Sequence, residues 1–381
     1  MTAAPEIKGW CPGALRPMPS GDGLVVRIRP PLGRLTPAQA TAIARAATTH
    51  GNGIIDLSAR ANLQLRGVTD TSHGPLIHDL RVHGLIDPDI ETESLRNLIV
   101  TPFGDAETGT LAATLTAALA RMPRLPAKFG FALDTGPQSI LTDASADIRV
   151  ERSQDGRLIL RPDGHHFGKL VSDLALDALA MAEWFDAAGG ITNGRGRMAA
   201  LIARGIVPPG FDTAPVASLP QPAPGLHAEG ALVALAFGQM RAGTLQALAT
   251  LGHEIRPTPW RMLLLVGAAS LPDIRGLITD PSDPILRVTA CTGAPTCPQA
   301  QGDTRQLARS LALHLPKGQA LHVSGCAKGC AHPGPSDLTL VATALGHDLI
   351  RNGAAFDTPC LTGLSPQAIP ELLKAPHAPS L

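Results

Sequence analysis

The sequence predicts a mixed α/β fold that contains an internal repeat, so that the chain consists of two similar halves. Residues 23–68 contain a strand-like, a helix-like and a second strand-like stretch, and residues 230–267 repeat this order. Residues 58–67 align without gaps with residues 258–267 and share a closing glycine. Such repeats are a strong architectural signal. The 39 glycines and 35 prolines favour many short elements joined by turns.

The first copy is the more polar of the two. Residues 23–33 are predicted to form a strand and a turn. A helix is predicted over residues 36–51, with Thr36 as its N-cap and Gly51 just past its end. Residues 53–68 are predicted to form the second strand, because apolar and polar residues alternate late in this run.

The second copy follows the same order with a strand at 230–240, a helix at 242–254 and a strand at 256–267. We therefore predict two ferredoxin-like half-domains, each followed by a larger α/β domain, with a linker at 221–225. The predicted division is 1–75 for the first half-domain, 76–215 for the first larger domain, 226–275 for the second half-domain and 276–375 for the second larger domain.

Composition and charge exclude some functions. Hydrophobic residues make up 44% and charged residues 17% of the chain, and 32 basic residues balance 32 acidic ones. No overall positive charge is present to attract nucleic acid. The N-terminus lacks the apolar region of a signal peptide, and apolar runs such as MLLLVGAA are too short to span a bilayer. We therefore expect a cytoplasmic protein with no nucleic-acid or membrane partner.

Four of the six cysteines lie close together in the sequence. Two pairs, with five and three residues between their members, are formed by Cys291, Cys297, Cys326 and Cys330. In a reducing compartment such groups are more often metal ligands or catalytic groups than disulfides. An iron–sulfur cluster, a zinc ion and buried unpaired thiols all remain open, although zinc usually takes shorter spacings. Cys11 and Cys360 stand apart and are expected to be ordinary small residues.

Four polar residues alternate with apolar ones in the stretch ARANLQLRG. Arg60, Asn62, Gln64 and Arg66 are predicted to line one face of a strand, because strand side chains alternate between faces. This pattern indicates either a face that meets a polar ligand or a face that is simply solvated.

The motifs CTGAPTCPQA and SGCAKGC resemble the signature of the sulfite and nitrite reductase superfamily, whose members hold a [4Fe–4S] cluster beside sirohaem. The resemblance implies a pseudo-two-fold repeat of ferredoxin-like half-domains and larger reductase-type domains. It also implies that Cys330 matches the cysteine that bridges to the sirohaem iron. The stretch SARANLQLRG resembles the arginine-bearing strand of the superfamily, LRNLIVTP its second arginine motif with Arg96, and LPAKFG its lysine motif with Lys128. The resemblance implies that these motifs bind the carboxylates of a tetrapyrrole, so the expected substrate-binding residues are Arg60, Asn62, Gln64, Arg66, Arg96 and Lys128.

One position departs from the reductase pattern. The reductases usually carry a second lysine two residues after the first, and here that position is Gly130. The set of cations that would hold and protonate sulfite or nitrite is therefore incomplete, which weakens multi-electron reduction of a small anion as the function.

Within the superfamily, the short length, the opening CPGALRPMPSGDGLVVRI and the SARANLQLRG stretch resemble the precorrin-3B synthase family. This resemblance implies an oxygen-dependent monooxygenase of aerobic cobalamin biosynthesis, which hydroxylates precorrin-3A at C20 and closes a γ-lactone with the ring A acetate. It also implies a [4Fe–4S] cluster, a non-haem iron and electrons from NADH. Because no G-x-G-x-x-G follows a strand, we expect a separate reductase or ferredoxin as the electron donor.

Two other functions are kept as alternatives. A sirohaem-dependent sulfite or nitrite reductase predicts sirohaem bound to the isolated protein, and an electron-carrying cluster protein predicts a cluster without tetrapyrrole affinity. The ligands of a mononuclear iron are not evident from the sequence, and the group Asp163, His165 and His166, together with His332, supplies weak candidates.

Overall fold

The computed structural model describes residues 11–374, so the predicted boundaries at residues 1 and 375 lie outside the described residues. The first half-domain contains β1 (Met18–Ser20), β2 (Gly23–Ile28), α1 (Pro37–His50), β3 (Ile54–Leu57), β4 (Leu63–Val68) and α2 (Asp70–Val82). Helix α1 begins where predicted, because the Thr36 hydroxyl accepts the amide of Gln39 and the Gln39 side chain accepts the amide of Thr36.

The predicted single strand over residues 53–68 is wrong, since the chain forms the antiparallel pair β3 and β4 there. The reversal occurs at Ala61, whose φ of 55° lies in the left-handed region. The Ser58 hydroxyl accepts the amides of Arg60 and Asn62 and so stabilises the turn. Arg60 therefore lies in a turn and Asn62 precedes the strand, and only Gln64 and Arg66 lie on β4.

A larger α/β domain follows the first half-domain. It contains α3 (Ile90–Leu95), β5 (Leu98–Val100), α4 (Ala106–Leu119), β6 (Phe131–Asp134), β7 (Ile148–Arg152), β8 (Leu158–Pro162), β9 (Lys169–Leu170), α5 (Leu174–Ala187) and α6 (Met198–Ala203). The strands form one sheet in sequence order, in which β5, β6 and β7 are parallel and β8 and β9 are antiparallel to their neighbours.

The second half repeats this arrangement. Its half-domain contains β10 (Gly225–His227), β11 (Gly230–Leu235), β12 (Gln239–Arg241), α7 (Ala242–Thr250), β13 (Ile255–Pro257), β14 (Met262–Val266) and β15 (Leu277–Ile278). Its larger domain contains β16 (Val288–Ala290), α8 (Thr304–Ala312), β17 (Leu321–Ser324), β18 (Ser336–Thr343), β19 (Gly346–Gly353), β20 (Leu361–Leu364) and α9 (Ile369–Lys374). The sheet β16–β20 has the same order and the same strand directions as β5–β9.

The predicted fold class and its two-fold repeat are therefore confirmed, and the repeat extends to unusual backbone conformations. Ala61 and Arg261, which the sequence alignment pairs, both have a positive φ, as do Leu32 and Phe237 after the first long strand of each half-domain. Residues other than glycine rarely adopt this conformation, so two matching pairs indicate a shared backbone plan.

The two half-domains exchange short edge segments. Strand β12 of the second half pairs with β3 of the first half, and Leu35 of the first half pairs with Ile255 in β13 of the second. Helices α1 and α7 pack in one continuous apolar core, which also includes α2. The first half-domain therefore extends through α2, past the predicted boundary at residue 75. With that boundary moved to the end of α2, the division into four domains remains a proposal.

The sheet of the first half-domain has one apolar and one polar face. Its apolar face packs against α1 and α2, as expected for a two-layer unit. The opposite face carries Arg27, Asp56 and Gln64 at paired positions, and Arg66 follows on the same side of β4. This polar face is directed toward the two larger domains, as its contacts with residues 97, 296 and 305 show. Within residues 11–374, no helix has the length and hydrophobicity needed to span a membrane.

Candidate functional site

The four clustered cysteines lie on two loops that leave the same edge of the second larger sheet. Cys291 directly follows β16, and Cys326 follows β17 by two residues. Strands β16 and β17 are parallel neighbours, so their carboxyl ends meet at one edge of the sheet. The fold thereby brings the two sequence-distant pairs together.

Backbone and hydroxyl groups surround the first thiol. The Gly325 amide donates to Cys291 Sγ at 3.1 Å, and the Thr304 hydroxyl donates to the Cys291 carbonyl at 2.7 Å. A Cβ on Gly325 would lie 3.4 Å from Cys291 Sγ and 2.6 Å from the Ala300 Cβ, so a side chain would not fit there. Glycine at this position lets the two loops approach closely and leaves an amide facing sulfur.

The four thiols are neighbours, and the six cysteines of the described chain are free of disulfides. Burial raises the pKa of the Cys330 thiol, the charge of Lys328 opposes this shift, and the other three clustered cysteines add to it. Within the part of the chain that the structure describes, no three His, Cys, Asp or Glu side chains converge on a position for one metal ion. The four thiols therefore lie within electrostatic range of one another.

Arg60 belongs to a second, cationic group, in which it lies within electrostatic range of Arg27 and Arg197. Its Nη2 donates to the Lys128 carbonyl at 2.8 Å and to the Ser145 hydroxyl at 3.1 Å. Its Nη1 is buried and lacks a hydrogen-bond partner. Burial lowers the pKa of Arg60, and this shift is reduced by Cys11. A cation with an unsatisfied N–H group is a suitable partner for an anionic ligand.

Two further arginines of the site, Arg27 and Arg29, were not predicted from the sequence. Arg27 Nη2 donates to the Gln64 side chain at 2.8 Å, and Arg27 Nε is buried without a partner. Arg29 lies 3.4 Å from Glu93 and also has a buried, unpartnered Nε. Burial lowers the pKa of Arg29 to about 10. The alternation of these arginines with Ile28 in the stretch VRIRP was the available signal, because it places both on one face of β2 and its extension.

Cys11, expected to be an ordinary small residue and not a metal ligand, contacts one of these arginines. Burial is the main cause that lowers the pKa of Arg27, and a hydrogen bond with the Cys11 side chain opposes this shift. Cys11 therefore lies beside the Arg27 guanidinium in the cationic group.

Two of the predicted ligand-binding arginines are instead engaged by carboxylates of the protein. Arg66 Nε and Nη2 donate to the two oxygens of Asp22 at 3.0 and 2.6 Å. Arg96 Nε and Nη2 each donate to Asp87 at 2.8 Å, and Nη2 also donates to the Arg29 carbonyl. Both guanidinium groups are nearly buried and their forks are occupied. We therefore remove Arg66 and Arg96 from the set of direct ligand-binding candidates.

The remaining predicted residues have mixed environments. Asn62 is buried, and its carbonyl accepts the Ser58 amide within the β3–β4 turn. Gln64 is half-buried and orients Arg27. The Lys128 side chain is exposed, while its carbonyl accepts Arg60. Lys128 is thus the most accessible of the predicted cations.

Two polar residues that the sequence analysis did not assign organise this region. Asn97 Nδ2 donates to the carbonyls of Ala127 and Phe129, on either side of Lys128. Arg197 donates to Asp147 at 2.9 Å and shares the Ser145 hydroxyl with Arg60. Asn97 directly follows the arginine of the LRNLIVTP motif, and Arg197 is the last residue of the Gly/Arg-rich stretch GRGR. Both positions could therefore have been noticed in the sequence as neighbours of basic motifs.

The weak candidates for a mononuclear iron site do not come together. Asp163 is paired with Arg149 at 2.7 Å, and His165 Nδ1 contacts the Phe167 carbonyl at 2.8 Å. His332 contacts the Pro335 carbonyl instead of a second ligand group. The described residues therefore do not provide a set of three protein ligands for one iron ion.

Comparisons with known proteins agree with this architecture. Residues 16–83 match the family model of the nitrite/sulfite reductase ferredoxin-like half domain. The solved structure of the Mycobacterium tuberculosis NirA protein superposes with a TM-score of 0.60 over 87% of this chain and 75% of that one, at 18% identity, which shows a shared fold. A protein named precorrin-3B synthase, from a Sinorhizobium species, is 31% identical over an alignment of 395 residues that covers 94% of this chain and 86% of the relative. The resemblance inferred from the motifs is thereby confirmed, and the chain belongs to the precorrin-3B synthase family.

Proposed function

We propose that this protein binds precorrin-3A and converts it to precorrin-3B with molecular oxygen. One oxygen atom of O2 enters the substrate as the C20 hydroxyl group, and the ring A acetate closes the γ-lactone. The other oxygen atom leaves as water, with two electrons and the balancing protons coming from NADH through a separate donor protein. Membership in the precorrin-3B synthase family supports this proposal, and the cationic group of arginines supports it chemically.

The observation that carries the proposal is the group of buried guanidinium nitrogens without partners. Arg27 Nε, Arg29 Nε and Arg60 Nη1 all lack hydrogen-bond acceptors, although buried polar groups are normally paired. The lowered pKa values of Arg27 and Arg60, caused mainly by burial, reflect the same unfavourable environment. Carboxylates supply the missing acceptors, and precorrin-3A carries several acetate and propionate groups. We propose that Arg27, Arg29 and Arg60 bind these groups, with the exposed Lys128 at the rim.

The other predicted residues have supporting roles in this proposal. Gln64 fixes the orientation of Arg27 through its hydrogen bond, and Asn62 shapes the turn that carries Arg60. Arg96 binds the carbonyl oxygens of Arg29 and Pro30 and so fixes the backbone beside Arg29. These residues orient the cations that meet the substrate, and they need no contact with it.

We propose that Cys291, Cys297, Cys326 and Cys330 hold a [4Fe–4S] cluster. All four are free thiols on neighbouring loops, and the Gly325 amide already faces one sulfur atom. When bound, such a cluster supplies electrons one at a time. In this proposal hydrogen bonds to sulfur, such as the one from the Gly325 amide, tune the potential.

A non-haem iron was also implied by the family resemblance, but the described residues do not fit it. No three potential protein ligands converge on one position within residues 11–374. We therefore derive no step through a mononuclear iron.

A sirohaem-dependent reductase is the second candidate, because the fold and the cysteine motifs are those of that superfamily. The environment of Gly130 argues against it. Arg60 Nη1 lies 2.8 Å from the position of a Cβ on Gly130, so Arg60 occupies the space that the second lysine of the reductases would need. In this proposal the cations differ from those of the reductases in the position of Arg60 as well as in the missing lysine.

An oxygen-uptake assay with anaerobically prepared precorrin-3A tests the proposed function. We expect one molecule of O2 consumed and one molecule of precorrin-3B formed per two electrons delivered. Reduction of sulfite or nitrite by the same preparation, without oxygen-dependent turnover of precorrin-3A, would overturn the proposal in favour of the reductase.

A further inference from the structure

The turn between β1 and β2 in the first half-domain contacts the first cysteine loop. The Gly21 amide donates to the Thr296 carbonyl at 2.9 Å, and the Ser20 hydroxyl donates to the same oxygen at 2.8 Å. Thr296 directly precedes Cys297. Two hydrogen bonds from a distant part of the chain therefore fix the peptide group next to a proposed cluster ligand.

Arg66 holds this turn in place. Its Nη2 donates to the Ser20 hydroxyl at 3.0 Å, while its fork binds both carboxylate oxygens of Asp22. Arg66 is 6% exposed and lies on the polar face of β4. A buried, bidentate arginine gives a rigid geometry, so the turn is held in the orientation that meets Thr296.

A second connection leads from the same face to the other cysteine of the pair. Arg305 Nη1 donates to Asp56 Oδ1 at 3.2 Å, and Arg66 Nε lies 3.9 Å from Asp56 Oδ2. Arg305 follows Thr304, whose hydroxyl donates to the Cys291 carbonyl. Both connections therefore begin at the ion pair of Arg66 and Asp56. One ends beside Cys297 and the other beside Cys291.

We propose that the polar face of the first half-domain positions the first cysteine pair, with Arg66, Asp56, Ser20 and Gly21 as positioning residues. The proposal rests on the proposed cluster for its consequence, since an ordered loop would hold the thiols of Cys291 and Cys297 in place for the cluster. In this proposal Arg66 orients the turn that contacts the first cysteine loop and does not bind the substrate. The link also explains why the first half-domain and the cluster domain, far apart in sequence, contact at this turn.

A matched pair of glycine substitutions tests this contact sterically. A Cβ on Gly21 would lie 2.6 Å from the Pro295 carbonyl and 3.0 Å from that of Thr296, so Gly21→Ala should displace the loop. Gly74, on α2 of the same half-domain, has no atom within 4 Å of its Cβ position, so Gly74→Ala is the control. Neither glycine has a positive φ, so backbone strain does not distinguish them.

A serine pair tests the hydrogen bond. Ser20→Ala removes the bond to the Thr296 carbonyl and the bond that the Ser20 hydroxyl accepts from Arg66 Nη2. It keeps the Arg66–Asp22 ion pair, so the fold should be retained. Ser310→Ala is the control, because that hydroxyl donates only to the Leu307 carbonyl within α8. Loss of each such bond corresponds to about a threefold to tenfold change in an equilibrium or rate.

The readouts are the release of iron to a chelator and hydrogen–deuterium exchange of the peptide 291–300. We expect Gly21→Ala and Ser20→Ala to lose iron about threefold to tenfold faster and to exchange faster in this peptide, while both controls match the wild type. Equal exchange in all five proteins would overturn the positioning role. Wild-type protein without iron and sulfide would instead overturn the proposed cluster, and the exchange measurement would still decide whether the turn orders the loop.

Discussion

Arg60 Nη1 lies 2.8 Å from the place where a Cβ on Gly130 would stand. The guanidinium is held there from its other side, because Nη2 donates to the Lys128 carbonyl and to the Ser145 hydroxyl. Residues 60 and 130 therefore form one feature, in which an arginine from the first half-domain fills the space left by a missing side chain in the first larger domain. Arg60 can occupy this position because residue 130 is a glycine and has no side chain there.

Gly130→Ala should therefore disturb the cationic site. The new methyl group would collide with Arg60 Nη1, and displacement of that group breaks at least one of its two hydrogen bonds. We expect a loss of about 1–3 kcal/mol in the free energy of unfolding, typical of overpacking. Chemical denaturation of the wild type and the variant measures it.

The double variant Arg60→Ala with Gly130→Ala provides the control for this prediction. Removal of the guanidinium relieves the closer contact, so the two effects should not add. Additive losses in the double variant would contradict a direct collision between the two residues.

Arg60→Ala should weaken precorrin-3A binding and leave the cluster intact. The loss of one charged hydrogen bond to a carboxylate is worth about 1.5–3 kcal/mol, which corresponds to about a tenfold to hundredfold loss in affinity. Binding titration under anaerobic conditions measures the affinity, and the visible spectrum reports the cluster. Arg157→Ala is a suitable control, since Arg157 is exposed and pairs only with Asp155. An unchanged affinity in Arg60→Ala would remove Arg60 from the substrate site.

Cys326→Ser should abolish the broad visible absorption of the protein and lower its iron and acid-labile sulfide. The matched control is Cys360→Ser, because Cys360 is exposed and belongs to neither cysteine loop. If the visible band persisted in Cys326→Ser, the proposed ligand set would be incorrect. If it were lost in both variants, the effect would not be specific to the cluster loops.

His322 should make the stability of the protein sensitive to acid. Its ring is fully buried on β17 with both nitrogens unpartnered, and burial, aided by the charges of His332 and Arg261, lowers its pKa from 6.5 to about 4. Between these values the unfolded chain binds a proton that the folded chain does not. The contribution of neutral His322 to the free energy of unfolding should therefore be fully present above pH 6.5. It should be lost as the pH decreases toward 4, by at most about 1.4 kcal/mol per pH unit.

Denaturation of the wild type and of His322→Leu across this pH range tests the assignment. The variant lacks the titrating ring and should show a shallower loss of stability on acidification. Equal slopes for the two proteins would show that another group causes the acid sensitivity.

The two-fold repeat and the cysteine group were predictable because both leave strong local patterns. The alignment of residues 58–67 with 258–267 pairs Ala61 with Arg261, which share a left-handed conformation that was not predicted at either position, and the Thr36 cap defined the start of α1. The hairpin within residues 53–68 was missed, because a left-handed alanine has no distinctive signature in a run that otherwise reads as a strand.

The assignment of individual arginines was less predictable, since it depends on partners that are distant in the chain. Arg66 and Arg96 carry the motif pattern of ligand-binding residues, but Asp22 and Asp87 occupy their forks. Arg27 and Arg29 show the reverse case. They were not predicted as ligand-binding residues, and only the structure shows their unpartnered nitrogens. Charge periodicity thus indicated a polar face, whereas the pairing of each charge was set by tertiary contacts.

The most direct test of the whole account is a measurement on anaerobically purified protein of its iron, acid-labile sulfide and visible spectrum, with acid–acetone extraction of any chlorin. The account predicts about four iron and four sulfide atoms per chain in a cluster, and no extractable sirohaem. Extractable sirohaem bound beside the cluster would contradict the assignment of the cationic site to a tetrapyrrole substrate and would identify the protein as a reductase.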